Sequence, residues 1–505
     1  MKAEASNKPN EPSMGFVKSL SKDTLFYSIG KIIPAVINFA SISIFTRLLS
    51  PEAFGNYQLV ITAVAFVSVI LSSWLQQAVY RHFLEFKNKG KSTDFIATFS
   101  WLLLATTIIS CTLALCFYFF IPPGYRHFVF TSTVLLVSYL LYTNLQVVLQ
   151  ASLKAISYSK YEILRASMFL IFGIAFIRIN QSYLSLVLAM MATYLPLSLL
   201  LTYRLGIFRT LFNHALNLET AKTIWLYGLP MFFWFLGSQV LSVSDRFFIG
   251  YFRGSAEVGI YTSNYNLMSS SIGLLTTPIQ LAIYTNIMNP WSLGDKERAK
   301  SAVVSTAYYY IMFTLPILLV TALYGKNIVA LALGSKFREG HVILPIILLG
   351  FLANNFALFF QKNYELEKKT RLLAVFAFLA AILNIGLNLF FIKEYGYIGA
   401  AITTAAAYVF YLILISSGIG ISWRFRYPWL NLAKMGFSFA CIWLVFSWFK
   451  TFFSINQYLA LGSSLLASYG LLIGMLVLLR EPYTLTLINK ARKLIPLGLN
   501  YAKLN

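Results

Sequence analysis

The feature that most constrains this chain is a regular alternation of long apolar stretches with short charged clusters. Its 505 residues are 58% hydrophobic and only 11% charged, with a mean hydropathy of +0.70. A soluble domain carries about 25% charged residues. About 20 consecutive apolar residues cross a bilayer core as one helix, and the chain contains about fourteen such stretches, of which 163–179 and 433–449 are the shortest. We therefore predict an all-α polytopic membrane protein.

The basic residues indicate how such a chain is oriented. The formal charge is +23, and most of the 40 Lys and Arg fall in alternate loops when the N-terminus is placed in the cytoplasm. This distribution predicts a multi-pass protein of the bacterial inner membrane with both termini cytoplasmic, attracted to anionic lipids. Residues 1–22 are polar and basic, which predicts a retained first helix rather than a signal peptide. We expect no nucleic-acid partner.

An internal repeat organises the chain. Its first copy contains Gly30 and Pro34, then Thr46-Arg47, then Gly55-Asn56-Tyr57. About two hundred residues later, Gly228-Leu229-Pro230, Asp245-Arg246 and Gly259-Ile260-Tyr261 follow in the same order. Six spans per copy give a parallel repeat, so we predict two pseudo-symmetric six-helix lobes plus two C-terminal helices. The predicted segments are a cytoplasmic N-terminal segment (1–23), the N-lobe with helices 1–6 (24–203), a cytoplasmic linker (204–222), the C-lobe with helices 7–12 (223–418), helices 13–14 (419–479) and a cytoplasmic C-terminal tail (480–505).

Polar side chains recur inside these spans at helical spacing, so that they share one face of a helix. Such residues are costly in hydrocarbon and usually line a bundle interior or a water-filled cavity. The alternative for any one of them is a hydrogen bond between helices. Since the polar stripes fall in equivalent helices of both lobes, we predict a shared substrate cavity. The candidate substrate-binding residues are Lys31, Asn38, Arg47, Gln76, Arg81, Gln146, Trp234, Asp245, Arg246, Asn266, Asn384 and Asn388.

Lys31 is the most specific of these candidates, because it is a cation inside the first predicted span. It shares a helix face with Asn38 and Ser41, which favours a position in the cavity, where it would attract phosphate or carboxylate. The alternative is snorkelling of the long side chain to the headgroups. For Arg47 and Arg246, interfacial anchoring and substrate contact are equally good interpretations, and Asp245 and Arg246 are also able to pair with one another.

Patterns typical of enzymes are missing from the sequence. It has no paired carboxylates, no His/Cys/Asp/Glu cluster at metal-ligand spacing, no phosphate-binding loop and no nucleophile elbow. We therefore expect a transporter with no catalytic residue, cofactor or metal, and one that does not hydrolyse ATP itself.

An ordered set of motifs identifies a family resemblance over nearly the whole chain. The segment from Phe45 to Tyr57, FTRLLSPEAFGNY, is similar to the first-loop signature of polysaccharide exporters and O-antigen flippases of the Wzx type. Supporting matches are Gly228-Leu229-Pro230 with Asp245-Arg246, the segment LGSKF from Leu333 to Phe337, and Asn384 to Asn388 followed by YGYIGAA from Tyr395 to Ala401. These proteins belong to the multidrug/oligosaccharidyl-lipid/polysaccharide (MOP) exporter superfamily, whose multidrug-transporter (MATE-like) fold has two six-helix lobes.

The resemblance implies a flippase that moves a polyprenyl-diphosphate-linked glycan between leaflets by alternating access, together with polymerase or chain-length proteins of the same pathway. It also implies that Lys31, Arg47 and Arg81 are the basic residues available for the diphosphate. Two other functions stay open. A cation-coupled multidrug exporter of the same superfamily would need a membrane carboxylate, and no acidic residue is predicted deep in a span of the N-lobe. A membrane glycan polymerase or ligase would need a large external loop, and no predicted external loop is long enough.

Overall fold

The computed structural model describes residues 14–120, 126–292, 294–367, 369–419, 428–452 and 457–494. Within these ranges the chain is a succession of α-helices with one 3₁₀ helix, Ser335–Ile343. The helices are α1 Met14–Leu48, α2 Pro51–Asn88, α3 Ser92–Phe120, α4 Arg126–Ala151, α5 Ala155–Ile179, α6 Tyr183–Arg204, α7 Ile207–Asn213, α8 Leu218–Arg253, α9 Ser255–Ser292, α10 Lys296–Ala332, α11 Leu344–Leu366, α12 Thr370–Ser416, α13 Trp429–Phe452, α14 Gln457–Leu478 and α15 Pro482–Leu494.

These helices make the protein a multi-span membrane protein, as the apolar stretches predict. In the described ranges, eleven helical segments are long and apolar enough to cross a bilayer. One of them, Arg371–Ser416 in α12, has 46 residues, which is about 70 Å of helix against a hydrocarbon core of about 30 Å. Its path is interrupted at Gly396, with φ of +54° and ψ of −138°. The count of fourteen spans stays a prediction, because α5 and α9 do not meet the same apolarity criterion.

The described chain divides into two compact units at places other than the predicted lobe boundaries, which stay predictions. Unit 1 comprises the chain up to Ser41 together with Val60–Phe233, and unit 2 comprises Ile42–Leu59 and everything from Trp234 onward. The division therefore passes through α1, α2 and α8. Of these helices, α1 and α8 carry an internal proline, Pro34 and Pro230 respectively.

In unit 1, the first half of α8 packs against α2. A Cβ atom at Gly228 would lie 2.3 Å from the carbonyl oxygen of Trp74, so the two backbones touch only because residue 228 has no side chain. The ring of Trp225 meets Trp74 edge-on at 5.1 Å between centroids. About two turns further along α2, His82 meets Tyr227 in the same way at 5.2 Å. These contacts explain why residues 218–233 cluster with unit 1.

In unit 2, the hairpin tip formed by residues 42–59 packs against α9, α10 and the 3₁₀ helix. The contact centres on the two Gly-x-Tyr motifs of the sequence repeat. A Cβ at Gly55 would lie 1.7 Å from the carbonyl oxygen of Ser255, and one at Gly259 would lie 2.0 Å from that of Pro51. Because α2 and α9 approach backbone to backbone, only glycine fits at either position.

Polar contacts fix the same hairpin tip. The hydroxyl of Thr46 accepts the N–H of Gly334 at 3.1 Å, and Ser43 Oγ donates to the carbonyl of Ala332 at 2.5 Å. Arg47 Nη2 donates to the carbonyl of Leu331 at 2.7 Å. The last backbone groups of a helix have no further turn to pair with. At the C-terminus of α10 their hydrogen-bond partners are Ser43, Thr46 and Arg47.

Candidate functional site

The densest buried polar group in unit 2 surrounds Asp245, near the end of α8, and we call it the Asp245 cluster. Asp245 is 1% exposed. Its carboxylate accepts hydrogen bonds from the hydroxyls of Tyr261 on α9 and Thr404 on α12, and from the backbone N–H of Arg246. Three helices thus supply donors to one carboxylate inside the bundle. Tyr261, the tyrosine of the second Gly-x-Tyr motif, therefore donates a hydrogen bond to Asp245 of the preceding Asp-Arg motif.

Amide and hydroxyl groups of α12 extend this cluster. Asn384 and Asn388 are both 0% exposed. Asn388 Nδ2 donates to Asn384 Oδ1 at 3.0 Å, and Ser244 Oγ donates to the same oxygen at 2.8 Å. Thr403 donates to Asn388 Oδ1. Asn384 and Asn388 precede the break at Gly396 and Thr403 follows it, so this break brings both halves of α12 to one site.

The Asp245 cluster offers mainly oxygen atoms, which are the ligand type that hard cations prefer. Its basic neighbour Arg246 lies over the ring of Tyr265, 5.3 Å from the centroid, a distance typical of a cation–π contact. Among the described residues, no group of three His, Cys, Asp or Glu side chains is arranged to hold a metal ion. The Asp245 cluster itself contains one buried carboxylate, and the chemistry it supports is charge binding rather than bond cleavage.

A second buried charged group lies in unit 1, between α4, α5 and α6. Arg165 pairs with Glu162 at 3.1 Å, and their side chains are 15% and 18% exposed. Tyr142 donates to Glu162 Oε1 at 3.0 Å, and Gln146 Nε2 donates to the Tyr142 hydroxyl at 2.7 Å. The ring of Tyr194 on α6 meets Tyr142 edge-on at 5.3 Å. We call this group the Glu162–Arg165 cluster.

The structure thus brings some predicted residues together and separates others. Asp245, Arg246, Asn384 and Asn388 meet in unit 2, and Gln146 belongs to the Glu162–Arg165 cluster. Lys31 on α1 and Arg81 on α2 are exposed. The amide side chains of Asn38, Asn266 and Gln76 are half-buried, and Gln76 donates a hydrogen bond to Ser72 Oγ at 3.3 Å. Arg47 is exposed and bonded to α10. The side chain of Trp234 lies outside the described residues.

Sequence reasoning missed Glu162 and Arg165. The fifth predicted span starts at Ile163, so Glu162 lies just outside it and Arg165 at its edge, where charged residues are expected. Their i, i+3 spacing with opposite charge is the signal that would have identified a pair on one helix face. Glu162 lies near the start of α5 and its charge is balanced by Arg165, so the prediction that no acidic residue lies deep in a span of the N-lobe stays a prediction. Tyr261, Thr403 and Thr404 were also missed, since hydroxyl residues are common in membrane helices.

The sequence also matches a known protein family. The sequence model of a family described as "Polysaccharide biosynthesis protein" matches residues 44–342, which is more than half of the chain. The chain belongs to this polysaccharide biosynthesis protein family. The matched region includes the hairpin tip 42–59 almost entirely, the Glu162–Arg165 cluster and the α8 and α9 parts of the Asp245 cluster.

Two curated relatives of this family member are named as a flippase and as a transporter. A probable low-salt glycan biosynthesis flippase, Agl15, of Haloferax volcanii is 20% identical over 290 residues, covering 56% of this chain and 59% of that protein. A putative O-antigen transporter of Shigella flexneri is 22% identical over 186 residues, covering 37% of this chain and 44% of that protein. The chain therefore matches about half the length of these relatives.

Solved structures show that this family member has the fold of the MOP superfamily. The lipid II flippase MurJ, in an inward closed conformation, matches with a TM-score of 0.68 at 16% identity, over 90% of this chain and 99% of that one. A multidrug resistance MATE family transporter in an inward-facing conformation matches with a TM-score of 0.60 at 15% identity, over 78% and 96%. The predicted fold class, an all-α polytopic protein of MATE-like type, is confirmed.

Proposed function

We propose that this chain is a flippase that moves a polyprenyl-diphosphate-linked oligosaccharide across the inner membrane by alternating access, for polysaccharide or O-antigen export. The observation that carries the proposal is membership of the polysaccharide biosynthesis protein family, with a family match over residues 44–342. The relatives named as a glycan flippase and an O-antigen transporter support the same class of cargo. Membrane lipids are the surrounding partner, and polymerase or chain-length proteins of the pathway are the macromolecular partners we propose.

The chemistry of the cargo assigns roles to particular side chains. A diphosphate carries negative charge that needs cations, and Lys31 and Arg81 are exposed cations on neighbouring helices of the chain. The half-buried amides of Asn38 and Gln76, on the same two helices, suit sugar hydroxyls, since amides both donate and accept hydrogen bonds. Arg47 is the weakest candidate of the three basic residues, because its guanidinium is already bonded to the end of α10.

Deletion of the gene tests the proposed activity directly. We expect lipid-linked oligosaccharide to accumulate on the cytoplasmic leaflet, and a plasmid copy of the wild-type chain to restore export. Surface glycan at the normal level after deletion, with no accumulated precursor, would show that the chain is not the flippase of that glycan.

Lys31 is tested in the same strain. We expect Lys31→Glu to abolish export while the protein is still inserted at the normal level, because a carboxylate repels the diphosphate. Lys31→Arg keeps the cation and should retain most of the activity, so it is the matched control. The measurement is surface glycan per unit of membrane-inserted protein. Normal export by Lys31→Glu would remove Lys31 from the mechanism.

The second candidate function is a cation-coupled exporter of small molecules. The Asp245 cluster favours it, since a buried carboxylate surrounded by hydroxyl and amide groups is a suitable place for a coupling cation. The two functions are separated by reconstituting the purified protein in vesicles with an imposed cation gradient. Gradient-driven movement of small cationic compounds, without movement of lipid-linked oligosaccharide, would favour the exporter.

A further inference from the structure

The linker between α6 and α8 carries a feature that the proposed function does not use. The apolar segment of α6 ends at Arg204, and Gly206 follows with φ of +66°, a backbone conformation that favours glycine. The N–H of Gly206 bonds to the carbonyl of Tyr203 at 3.0 Å, which closes the helix. The chain therefore turns away from the α6 axis where its membrane segment ends, and α7 begins at once.

The short helix α7 has three distinct faces. Ile207 is 4% exposed, and Leu211, one turn on, is half-buried on the same face. Phe208 and Phe212, also one turn apart, are 51% and 88% exposed. Arg209 and Asn213 form an exposed polar face. A helix lying in the plane of a membrane surface beside a bundle meets protein, lipid and water on three sides, and these faces match those three surroundings.

The position of the linker along α3 supports the same interpretation independently. Trp101 Nε1 on α3 donates to the carbonyl of His214 at 3.0 Å, and the hydroxyl of Thr98 accepts the N–H of Asn217 at 3.4 Å. Thr98 and Trp101 lie about 9 and 14 Å along α3 from its first residue, Ser92, at 1.5 Å per residue. The linker therefore contacts α3 within the helix rather than beyond its first residue. Trp101 belongs to a residue type that is enriched at membrane interfaces.

We propose that residues 204–214 form an interfacial anchor that binds the phospholipid leaflet at the C-terminal end of α6. Phe208 and Phe212 insert at the boundary between headgroups and acyl chains. Arg204 and Arg209, both exposed, contact lipid phosphates, and Asn213 stays in water. The partner is the lipid surface, and the anchor fixes the segment that joins the first six helices to α8 at a set depth in the membrane.

Spin labels on two adjacent residues test this proposal in the full chain. Phe212→Cys and Asn213→Cys are made with Cys111, Cys116 and Cys441 replaced by alanine, and each variant is labelled and reconstituted in vesicles containing anionic phospholipid. At position 212 we expect greater accessibility to oxygen, which concentrates in the acyl region, than to a water-soluble nickel complex. At position 213 we expect the reverse. Both side chains are exposed, so either substitution leaves the fold unchanged.

Two results would overturn the proposal. Equal accessibility of both labels to the nickel complex would mean that the aromatic face is in water, free for a soluble protein. Oxygen accessibility at both positions would mean that α7 is buried in the bilayer rather than lying at its surface. The role of arginine is tested by adding Arg209→Gln, which should shift the label at position 212 toward the nickel complex. An unchanged depth in that variant would remove Arg209 from the anchor.

Discussion

At the scale of single residues, burying an ionisable side chain has the largest unfavourable free energy. An ionisable side chain within membrane helices loses its hydration and is usually retained for a function. Asp245 and the Glu162–Arg165 pair meet this description in different ways. The pair balances its own charge, whereas Asp245 depends on hydroxyl and amide donors from three helices. Asp245 is therefore the residue whose replacement should affect function most strongly in unit 2.

We expect Asp245→Asn to abolish export and to lower the free energy of unfolding by about 1–3 kcal/mol, because Tyr261 and Thr404 then face an uncharged acceptor. Glycan export and thermal unfolding of the purified protein measure the two effects. Glu52→Gln, at an exposed position on α2, is the matched control and should change neither. Full export by Asp245→Asn would make this cluster purely structural.

Arg47 differs from Lys31 in what surrounds it, although both are exposed cations of α1. Because Arg47 donates to the carbonyl of Leu331 at the C-terminal end of α10, we expect Arg47→Gln to lower stability by about 1 kcal/mol while much of the export activity remains. Arg47→Lys should recover part of the loss, since lysine keeps the charge but lacks the fork of donors. Thermal unfolding measures the effect. Loss of export with unchanged stability would instead favour contact with the diphosphate.

At the scale of elements, the crossing of α2 and α9 depends on two glycines. We expect Gly55→Ala and Gly259→Ala each to lower the free energy of unfolding by about 1–3 kcal/mol, because the added methyl group meets backbone atoms that cannot rotate away. Gly386→Ala is the control, since a Cβ there has nothing within 4 Å. Thermal unfolding in detergent checks all three. Equal stability of Gly55→Ala and Gly386→Ala would contradict the close approach.

Some elements were predictable from sequence because each has a local signal. Apolar length identified the membrane helices, and the Gly-x-Tyr repeat was visible as a pattern, but nothing in it predicted that its two copies contact each other. The helix α7 was not predicted, because seven residues are too few for a periodic pattern to be distinguished from a loop. The Glu162–Arg165 cluster was missed for a related reason. A charge near the start of a helix is an ordinary topology signal, and only packing against α4 shows it to be buried.

The division of the whole molecule could not be predicted from the repeat. The sequence repeat predicts lobe boundaries in loops, whereas the contacts divide the described chain within the helices α1, α2 and α8. The physical reason is that the division depends on tertiary contacts, such as those of Gly55 and Gly228 with backbone atoms far away in the sequence. Local composition does not predict such contacts. The orientation of the termini likewise stays a prediction from the distribution of basic residues.

At the scale of the whole molecule, the last three helices are attached to unit 2 through α10. Tyr469 donates to the carbonyl of Phe313 at 2.6 Å, Tyr309 to that of Tyr483 at 3.2 Å, and Ser464 to the hydroxyl of Tyr324 at 3.2 Å. Apolar packing joins them as well, since Met312 and Leu319 of α10 share a buried cluster with residues of α13 and α14. Lipid replaces part of this packing when the helices are removed, whereas the hydrogen bonds are lost outright.

We therefore expect a chain ending at Ser417 to insert and fold with its stability lowered by at least about 2 kcal/mol, at about 0.6 kcal/mol for each of the bonds above. Thermal unfolding and limited proteolysis of the shortened chain measure this. Failure of the shortened chain to accumulate in the membrane, with rapid degradation of both units, would show that α13–α15 are needed for folding itself.

The crossing of Gly55 with Gly259 has one more consequence, which concerns ancestry. The two glycines are equivalent positions of the repeat, and a Cβ on either would lie within 3.1 Å of the other residue's backbone nitrogen. A contact between equivalent residues is the kind that a symmetric dimer makes on its twofold axis. A half-length precursor carrying one copy of the motif would have met itself at this glycine. In the present chain the two copies meet within one molecule, so the side chain that fits at either glycine depends on the other.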